Sequence, residues 1–223
     1  AIGTTNRGIG PCYVDKAKRI GLRMADFVDP ANFAGFLKAI LPVKNQEIIK
    51  LYGGKALDFE KILKEYQEYA VALKPYVQDV ETQVAEALVA KKKVLFEGAQ
   101  GALLDLTYGS YPFVTSSNTL SSGCCAGSGI GPGAIDWTYG IIKAYNTRVG
   151  NGPFPTGLNA SEQKLFPDNF VAREIGVSTG RLRRMGWFDA VLARWSVALN
   201  SISALCLTKL DILDQFKTIK ICT

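Results

Sequence analysis

Two stretches of this chain combine residue types that recognise bases and anions. Thr208-Lys209-Leu210-Asp211 follows an apolar run, Ile202 to Leu207, and so falls where α/β sheets place ligand loops, beyond the end of a strand. A carboxylate at that point can accept hydrogen bonds from the N1 and N2 groups of guanine while the lysine stem lies along the base. Adenine has no matching donors and leaves the carboxylate unpaired. The ordinary alternative is a strand end with Asp211 capping a helix, and the four residues leave both readings open. Upstream, Val177-Ser178-Thr179-Gly180-Arg181-Leu182-Arg183-Arg184 brings hydroxyls, a glycine and three guanidiniums together. Guanidinium forks take carboxylate or phosphate bidentately, and hydroxyls add neutral donors. Arginines so crowded repel one another unless an anion lies between them, so an anion site is expected rather than a solvated basic turn.

Other segments carry weaker signals. Thr4-Thr5 lies in a glycine-rich loop and is followed by Lys16 and Arg19 at neighbouring helical positions; alone, that is surface charge. Gly127 to Gly133 has the glycines of a dinucleotide loop, but no strand leads directly into it and Pro132 interrupts it. The phosphate loop G-x-x-x-x-G-K-[ST] is absent. Gln100 and Thr115 are uninformative individually, and the vicinal Cys124-Cys125 reads as small-residue packing.

Composition narrows the chemistry. The chain contains no histidine, so a general acid or base must be Asp, Glu, Lys, Tyr or Cys, or must come from another segment or chain. Five cysteines without a C-x-x-C pair or a histidine leave no common zinc site, and a reduced, cytoplasmic setting is the default. A net charge of +6 favours anionic partners. The basic clusters, Lys91 to Lys93 and Arg181 to Arg184, are short and far apart, unlike the stripe of a nucleic-acid binder. No apolar run reaches the roughly 18 residues of a membrane span.

The elements that must position these residues follow from periodicity. A loop covers residues 1–13, then a short helix is expected from Asp15 to Met24. A second is expected from Ala31 to Leu41, stopping before Pro42. Asp58 reads as an N-cap for a helix with Phe59, Ile62, Leu63, Tyr66, Tyr69 and Leu73 on one face. Another helix starts near Pro75, with Val77, Val80, Val84 and Leu88 aligned. Val94-Leu95-Phe96 reads as a buried strand opening into Glu97 to Gly101. The Gly/Ser/Thr stretch from Thr115 to Gly133, flanked by Tyr108, Tyr111, Phe113 and Trp137, reads as a functional loop rather than a linker. Helices are expected at Ile135–Ala144 and Ala190–Leu199, the latter with Val191, Leu192, Trp195 and Leu199 inward, and a buried strand at Ile202–Leu207. The class is α/β: one incomplete domain over 1–223, mainly helical over about 31–93, with a nucleotide-site core over about 94–223.

Taken together, the segments resemble the adenylosuccinate synthetase family over essentially the whole chain. The residues that carry the likeness are Gly3-Thr4-Thr5-Asn6-Arg7-Gly8-Ile9-Gly10-Pro11 with Tyr13, Lys16 and Arg19; FEGAQG at Phe96–Gly101; YPFVTSSNT at Tyr111–Thr119; TRVGNGPFPT at Thr147–Thr156; and then STGRLRR and TKLD. The resemblance implies a central sheet with flanking helices, related to P-loop-like GTP-binding enzymes and incomplete in this chain. It implies that Thr5, Gln100, Thr115, Val149 and Arg181 contact IMP, and that Arg19 reaches the IMP phosphate across a homodimer interface. Val177, Ser178, Thr179, Gly180, Arg181, Leu182 and Arg183 would close on L-aspartate, with Arg183 also near the GTP phosphates. Lys209, Leu210 and Asp211 would hold guanine, and Lys16 is the candidate catalytic residue.

The reaction so implied is a ligation with GTP as co-substrate. GTP phosphorylates the 6-oxygen of IMP, and the aspartate amine then displaces that phosphate to give adenylosuccinate, with Mg²⁺ bridging phosphoryl oxygens. In the family pattern a phosphate loop with a catalytic Asp and the Mg²⁺ contact, and a Gly-His-Thr histidine, precede Gly3. A further segment beyond Thr223 completes the guanine pocket. The 223-residue chain by itself is therefore expected to be inactive, and its start at Ala1 without a methionine fits a cut. Asn6, where glycine is frequent, and Leu182 are departures that remove no ligand group. The competing reading is a non-catalytic nucleotide- or aspartate-binding module derived from the same fold. A GTPase switch reading TKLD lacks the phosphate-loop and switch motifs.

Overall fold

Helices come first along the chain and strands only in its second half, in a computed structural model that describes residues 3–166, 174–176, 180–214 and 216–223. The chain divides into two compact units, one of residues 11–83 and one of residues 1–10 with 84–223.

The first unit is helical: α1 (Ile9–Lys18), α2 (Met24–Phe27), α3 (Pro30–Tyr52), α4 (Phe59–Leu73), a 3₁₀ turn at Lys74–Tyr76 and the start of α5 (Val80–Val89). Asp29 accepts from the Asn32 N–H at 2.9 Å, with Pro30 next to it, where no N–H is missed. Asp58 caps α4 as expected, through the Lys61 N–H at 2.7 Å. Phe33, Leu37 and Leu41 bury one stripe of α3 against Phe27 and Ala70, with Phe59, Ile62 and Leu63 of α4 packed around them. The expected stop before Pro42 is wrong: α3 runs through it to Tyr52. A proline inside a helix costs about 3 kcal/mol, and tertiary contacts beyond it offset that cost. Lys44 Nζ meets Asp15 at 2.7 Å, and the Asn45 amide both donates to and accepts from the Leu57 backbone at 2.9 and 2.8 Å. The helix expected at Asp15–Met24 instead starts at Ile9 and ends at Lys18. The helix expected from Pro75 begins at Val80, where Asp79 accepts from Thr82 N–H and O–H.

The second unit is mixed α/β. Strand β1 (Tyr139–Lys143) pairs in parallel with β5 (Ala204–Thr208), β2 (Asn146–Val149) antiparallel with β3 (Arg183–Gly186), and β4 (Phe188–Asp189) in parallel with β6 (Ile221–Cys222). Helices α6 (Ser121–Ser128), α7 (Ala160–Gln163) and α8 (Ala190–Asn200) intervene. The helix expected at Ile135–Ala144 is β1 with a 3₁₀ turn at Pro132–Ala134 before it. A parallel ladder with β5, from Tyr139 opposite Ala204 to Lys143 opposite Thr208, makes this segment a strand, and Gly140 sits under the side-chain ends of Ile202 and Leu205. Val94–Phe96 forms no strand, since no described segment lies alongside to complete its hydrogen bonds, and Leu95 is 87% exposed. β5 is a strand as expected, but an exposed one. Asp189 caps α8 through the Leu192 N–H at 2.9 Å, yet Val191 and Trp195 face outward rather than inward. The core comprises Ala144, Tyr145, Leu158, Phe166, Met185, Trp187 and Leu213, with Phe216 edge-on to both Phe166 and Trp187. Among the described residues no helix is long and apolar enough to cross a membrane.

Candidate functional site

Three segments expected to touch one ligand meet in the second unit. The Arg181 guanidinium lies against the N-terminal loop and the end of β2. A Cβ added to Gly3 would strike it, and one added to Gly150 would stand 3.5 Å from it. The loop of Thr5, the Val149–Gly150 corner and Arg181 are thereby neighbours. Gly10 lies close to Ser116, the residue after Thr115, where an added Cβ would be 3.6 Å from the hydroxyl.

Thr115 and Gln100 belong to a loop organised by Asp105, which is 0% exposed. One Asp105 oxygen accepts from the N–H groups of Thr107 and Tyr108 at 2.9 and 3.0 Å, the other from Thr119 N–H at 2.8 Å. Burial pushes its carboxyl up, but these backbone donors outweigh that and hold it below the usual range. Thr115 N–H donates to Leu104 C=O at 2.9 Å, and Thr119 O–H to Gly101 C=O at 2.7 Å. Ser121 N–H and O–H bond Asn200 at 2.8 and 2.9 Å, so the glycine-rich stretch is a knitted loop carrying α6. The Cys124 thiol donates to Ser121 C=O at 2.8 Å, and burial followed by the Cys125 thiol pushes its pKa up, consistent with packing.

A second buried carboxylate, Glu174, 2% exposed, organises the arginine segment. Ile175 bridges Leu182, and Arg183 N–H donates to Glu174 C=O at 2.9 Å. Gly180, at φ +62°, donates to Gly176 C=O at 2.7 Å, closing the base of a hairpin. Val177, Ser178 and Thr179 lie outside the described residues. The Glu174 side chain accepts from Tyr145 O–H at 2.6 Å, from Lys143 Nζ at 3.0 Å to both oxygens, and from Arg183 Nη1 at 3.1 Å. Burial raises its pKa, and the Tyr145 and Lys143 hydrogen bonds with the nearby cations bring it below the usual range. Burial lowers Lys143 more than Glu174 restores it, and burial with Glu174 raises the Tyr145 phenol.

The three arginines have different partners, although Arg181 and Arg184 both lie against Gly150. Alternation along β3 sends Arg183 and Arg184 to opposite sides. Arg184 donates to the carbonyls of Gly150 and Gly152, both at 2.9 Å, and stacks over Phe154. Val149 stands in register with Arg183, joining the Arg181 corner to the hairpin. Leu182 is exposed at 58%.

At the other candidate, Ala144 N–H donates to Thr208 C=O at 2.9 Å and Lys143 pairs in register with Thr208. Lys209 is left-handed at φ +61°, and Lys209, Leu210 and Asp211 are all exposed. The 3₁₀ turn Leu210–Leu213 starts after Lys209 with no side-chain cap, so Asp211 is not the helix cap that competed with a ligand role. In the helical unit, Lys16 lies 6.0 Å from the Tyr13 ring centre. Arg19 is not helical but left-handed at φ +63°, beside a groove lined by Phe36, Ala39 and Ile40. Arg19, Gln100 and Lys209 thus share a backbone conformation that costs roughly 1 kcal/mol outside glycine.

Sequence reasoning missed Asp105, Glu174, Lys143 and Arg148. Asp105 has a visible signal, a lone acid inside Leu103-Leu104-Asp105-Leu106, and Lys143 closes the apolar strand Gly140-Ile141-Ile142. Arg148, 7% exposed, ties β2 to the neighbouring loop through Ser110 Oγ at 2.7 Å and Phe113 C=O at 3.2 Å. Among the described residues no three His, Cys, Asp or Glu come together as a metal site.

The described elements define a mixed α/β class of protein in which the hydroxyl-bearing N-terminal loop, the end of β2 and Arg181 lie side by side. The family model for adenylosuccinate synthetase matches residues 1–223, and the chain belongs to that family. It is 49% identical over 221 residues to the adenylosuccinate synthetase of Microcystis aeruginosa, covering 99% of this chain and 49% of that protein. It is 50% identical over 221 residues to that of Desulfitobacterium hafniense, covering 99% and 51%. The solved structure of fully ligated adenylosuccinate synthetase from Plasmodium falciparum superposes with a TM-score of 0.88 at 39% identity, covering 97% of this chain and 50% of that one. The chain spans about half the length of the curated relatives it matches.

Proposed function

We propose that a protein carrying this chain joins L-aspartate to IMP, driven by GTP, releasing adenylosuccinate, GDP and phosphate. The observation that carries this reading is the meeting of the Gly3–Thr5 loop, the Val149–Gly150 corner and the Arg181 guanidinium, with Gly10, further along the same segment, close to the Ser116 that follows Thr115. In this reading Thr5, Gln100, Thr115, Val149 and Arg181 hold IMP, and residues 177–183 close on the aspartate carboxylates. Arg183 also serves the GTP phosphates, and Lys209, Leu210 and Asp211 hold guanine. Arg19 reaches the IMP phosphate of a second copy, and Lys16 stands as the catalytic candidate.

The chemistry is balanced in two displacements. The 6-oxygen of IMP attacks the γ-phosphorus as the N1 proton is given up and GDP leaves; the neutral aspartate amine then attacks carbon 6, phosphate leaves and the new C–N nitrogen releases one proton. A phosphate departs readily where hydroxide does not, and the arginines offset the charge of three anionic substrates. Mg²⁺ would accompany the GTP phosphates as counter-ion, with no described residue assigned to it. The 223-residue polypeptide alone, which has no histidine, is proposed to bind substrates without phosphoryl transfer. The cytoplasmic setting of the family belongs to the same proposal.

The test is chromatographic detection of adenylosuccinate from GTP, IMP, aspartate and Mg²⁺. The full-length protein is expected to form it and the 223-residue chain is not. Absence of product from the full-length protein sinks the ligase reading, and turnover by the isolated chain sinks the claim of inactivity.

A further inference from the structure

Glu174 is almost wholly buried, but its partners are not passive. Tyr145 lies in the core, Lys143 ends the strand in register with Thr208, and Arg183 belongs to the segment proposed to close on aspartate. The backbone of the same residue accepts from Arg183 N–H at 2.9 Å, so Glu174 holds Arg183 at both its main chain and its side chain. A guanidinium has five N–H donors in a rigid fork. With Nη1 committed to Glu174 at 3.1 Å and the side chain still 31% accessible, the fork is oriented and the remaining donors stay available. One carboxylate facing Lys143 and Arg183 leaves the cluster net positive, so it still attracts an anion.

We propose that Glu174 is a positioning residue for the aspartate carboxylate: it pre-orients the Arg183 fork and pins the hairpin base to the β1–β5 end. This rests on the ligase reading above. Without the carboxylate, Arg183 gains rotamer freedom that substrate must remove on binding, and the loss falls on the ligands assigned to Arg183, aspartate first and the GTP phosphates second, and not on IMP. Tyr145 O–H at 2.6 Å fixes the carboxylate from the core side, so the arrangement is present before any ligand arrives.

The test is steady-state kinetics of the full-length protein and its Glu174→Gln variant, each checked for folding by thermal melting. We expect the aspartate KM to rise about tenfold, the GTP KM to rise less than that, and the IMP KM to stay within about twofold of wild type. Glu174→Asp should recover part of the loss. Because Glu174 acts through Arg183, adding Glu174→Gln to Arg183→Ala should change the aspartate KM by less than about twofold. An unchanged aspartate KM, an equal rise for all three substrates, or losses that multiply in the double variant overturn the proposal. If Glu174→Gln does not fold, Glu174→Asp must show the aspartate KM rising with the IMP KM unmoved; a wild-type aspartate KM there, or failure of both to fold, overturns it too. Wild-type protein without turnover defeats the ligase reading, whereas wild-type turnover with an unmoved variant defeats only the positioning role.

Discussion

Asp105 and Glu174 are both carboxylates with almost no exposure, 0% and 2%, yet their partners differ in kind. Asp105 is bound by three backbone N–H groups from Thr107, Tyr108 and Thr119, all within fifteen residues of it. Those donors are fixed by the chain's own path, so Asp105 sets the shape of one loop. Glu174 is bound by side chains from β1, the β1–β2 turn and β3. Those donors have other conformations and other uses, so Glu174 sets how separate elements face one another. Backbone-served acids build a rigid wall, and side-chain-served acids build a joint whose members can also meet a ligand.

The largest test of this contrast is Asp105→Ala. It strands three N–H donors in a closed loop and should lower unfolding stability by about 3 kcal/mol, read from the denaturant midpoint at constant m-value. Glu174→Gln keeps the shape but removes the charge facing two cations that are 26% and 31% accessible. Its cost should be about 2 kcal/mol, since water partly replaces the lost partner. A cost equal to or above that of Asp105→Ala would erase the distinction between wall and joint. Tyr145→Phe deletes a single O–H donor to Glu174 and should cost about 1.5 kcal/mol. A larger loss would mean that the core side, rather than the cations, holds the joint.

The smallest effect concerns Glu162, where Lys220 at 2.6 Å, Trp187 Nε1–H and Asn159 N–H depress the carboxyl to about 2. A depressed acid stabilises above its unfolded value, about 4.3, and loses that contribution as pH falls toward the folded value. The melting-temperature gap between wild type and Glu162→Gln should therefore be full at pH 6 and shrink steadily from about pH 4 to pH 2. A gap that does not change across that window would show that the pairing is not electrostatic. Asp105 and Glu174 are shifted in the same direction and should steepen the wild-type acid limb.

Much of the helical part was legible because its signals are local. Asp58 four residues ahead of Ile62 is enough to start α4, and Asp189 is enough to start α8. Where a distant partner decides, local signals failed. Pro42 lies inside α3 because Asn45 finds Leu57 and Lys44 finds Asp15. Residues 139–143 form a strand because β5, far along the chain, supplies their ladder. Val94–Phe96 has strand composition but no described strand beside it. The candidate ligand residues were legible as types, since Thr5, Arg181 and Asp211 carry groups suited to anions and bases. The acids that hold them were not, because a buried Glu and a surface Glu are the same letter.

The sequence by itself determined the family and the α/β class, and it supplied the side chains proposed to meet phosphate, carboxylate and guanine. Block order and residue type carry that information without folding. Only the tertiary structure decided which partner each of Arg181, Arg183 and Arg184 takes. Arg181 joins the Gly3 loop, Arg183 goes to Glu174, and Arg184 goes to the carbonyls of Gly150 and Gly152. The reason is that a guanidinium's role is set by which acceptor lies within about 3 Å, and those acceptors come from segments far away in the chain.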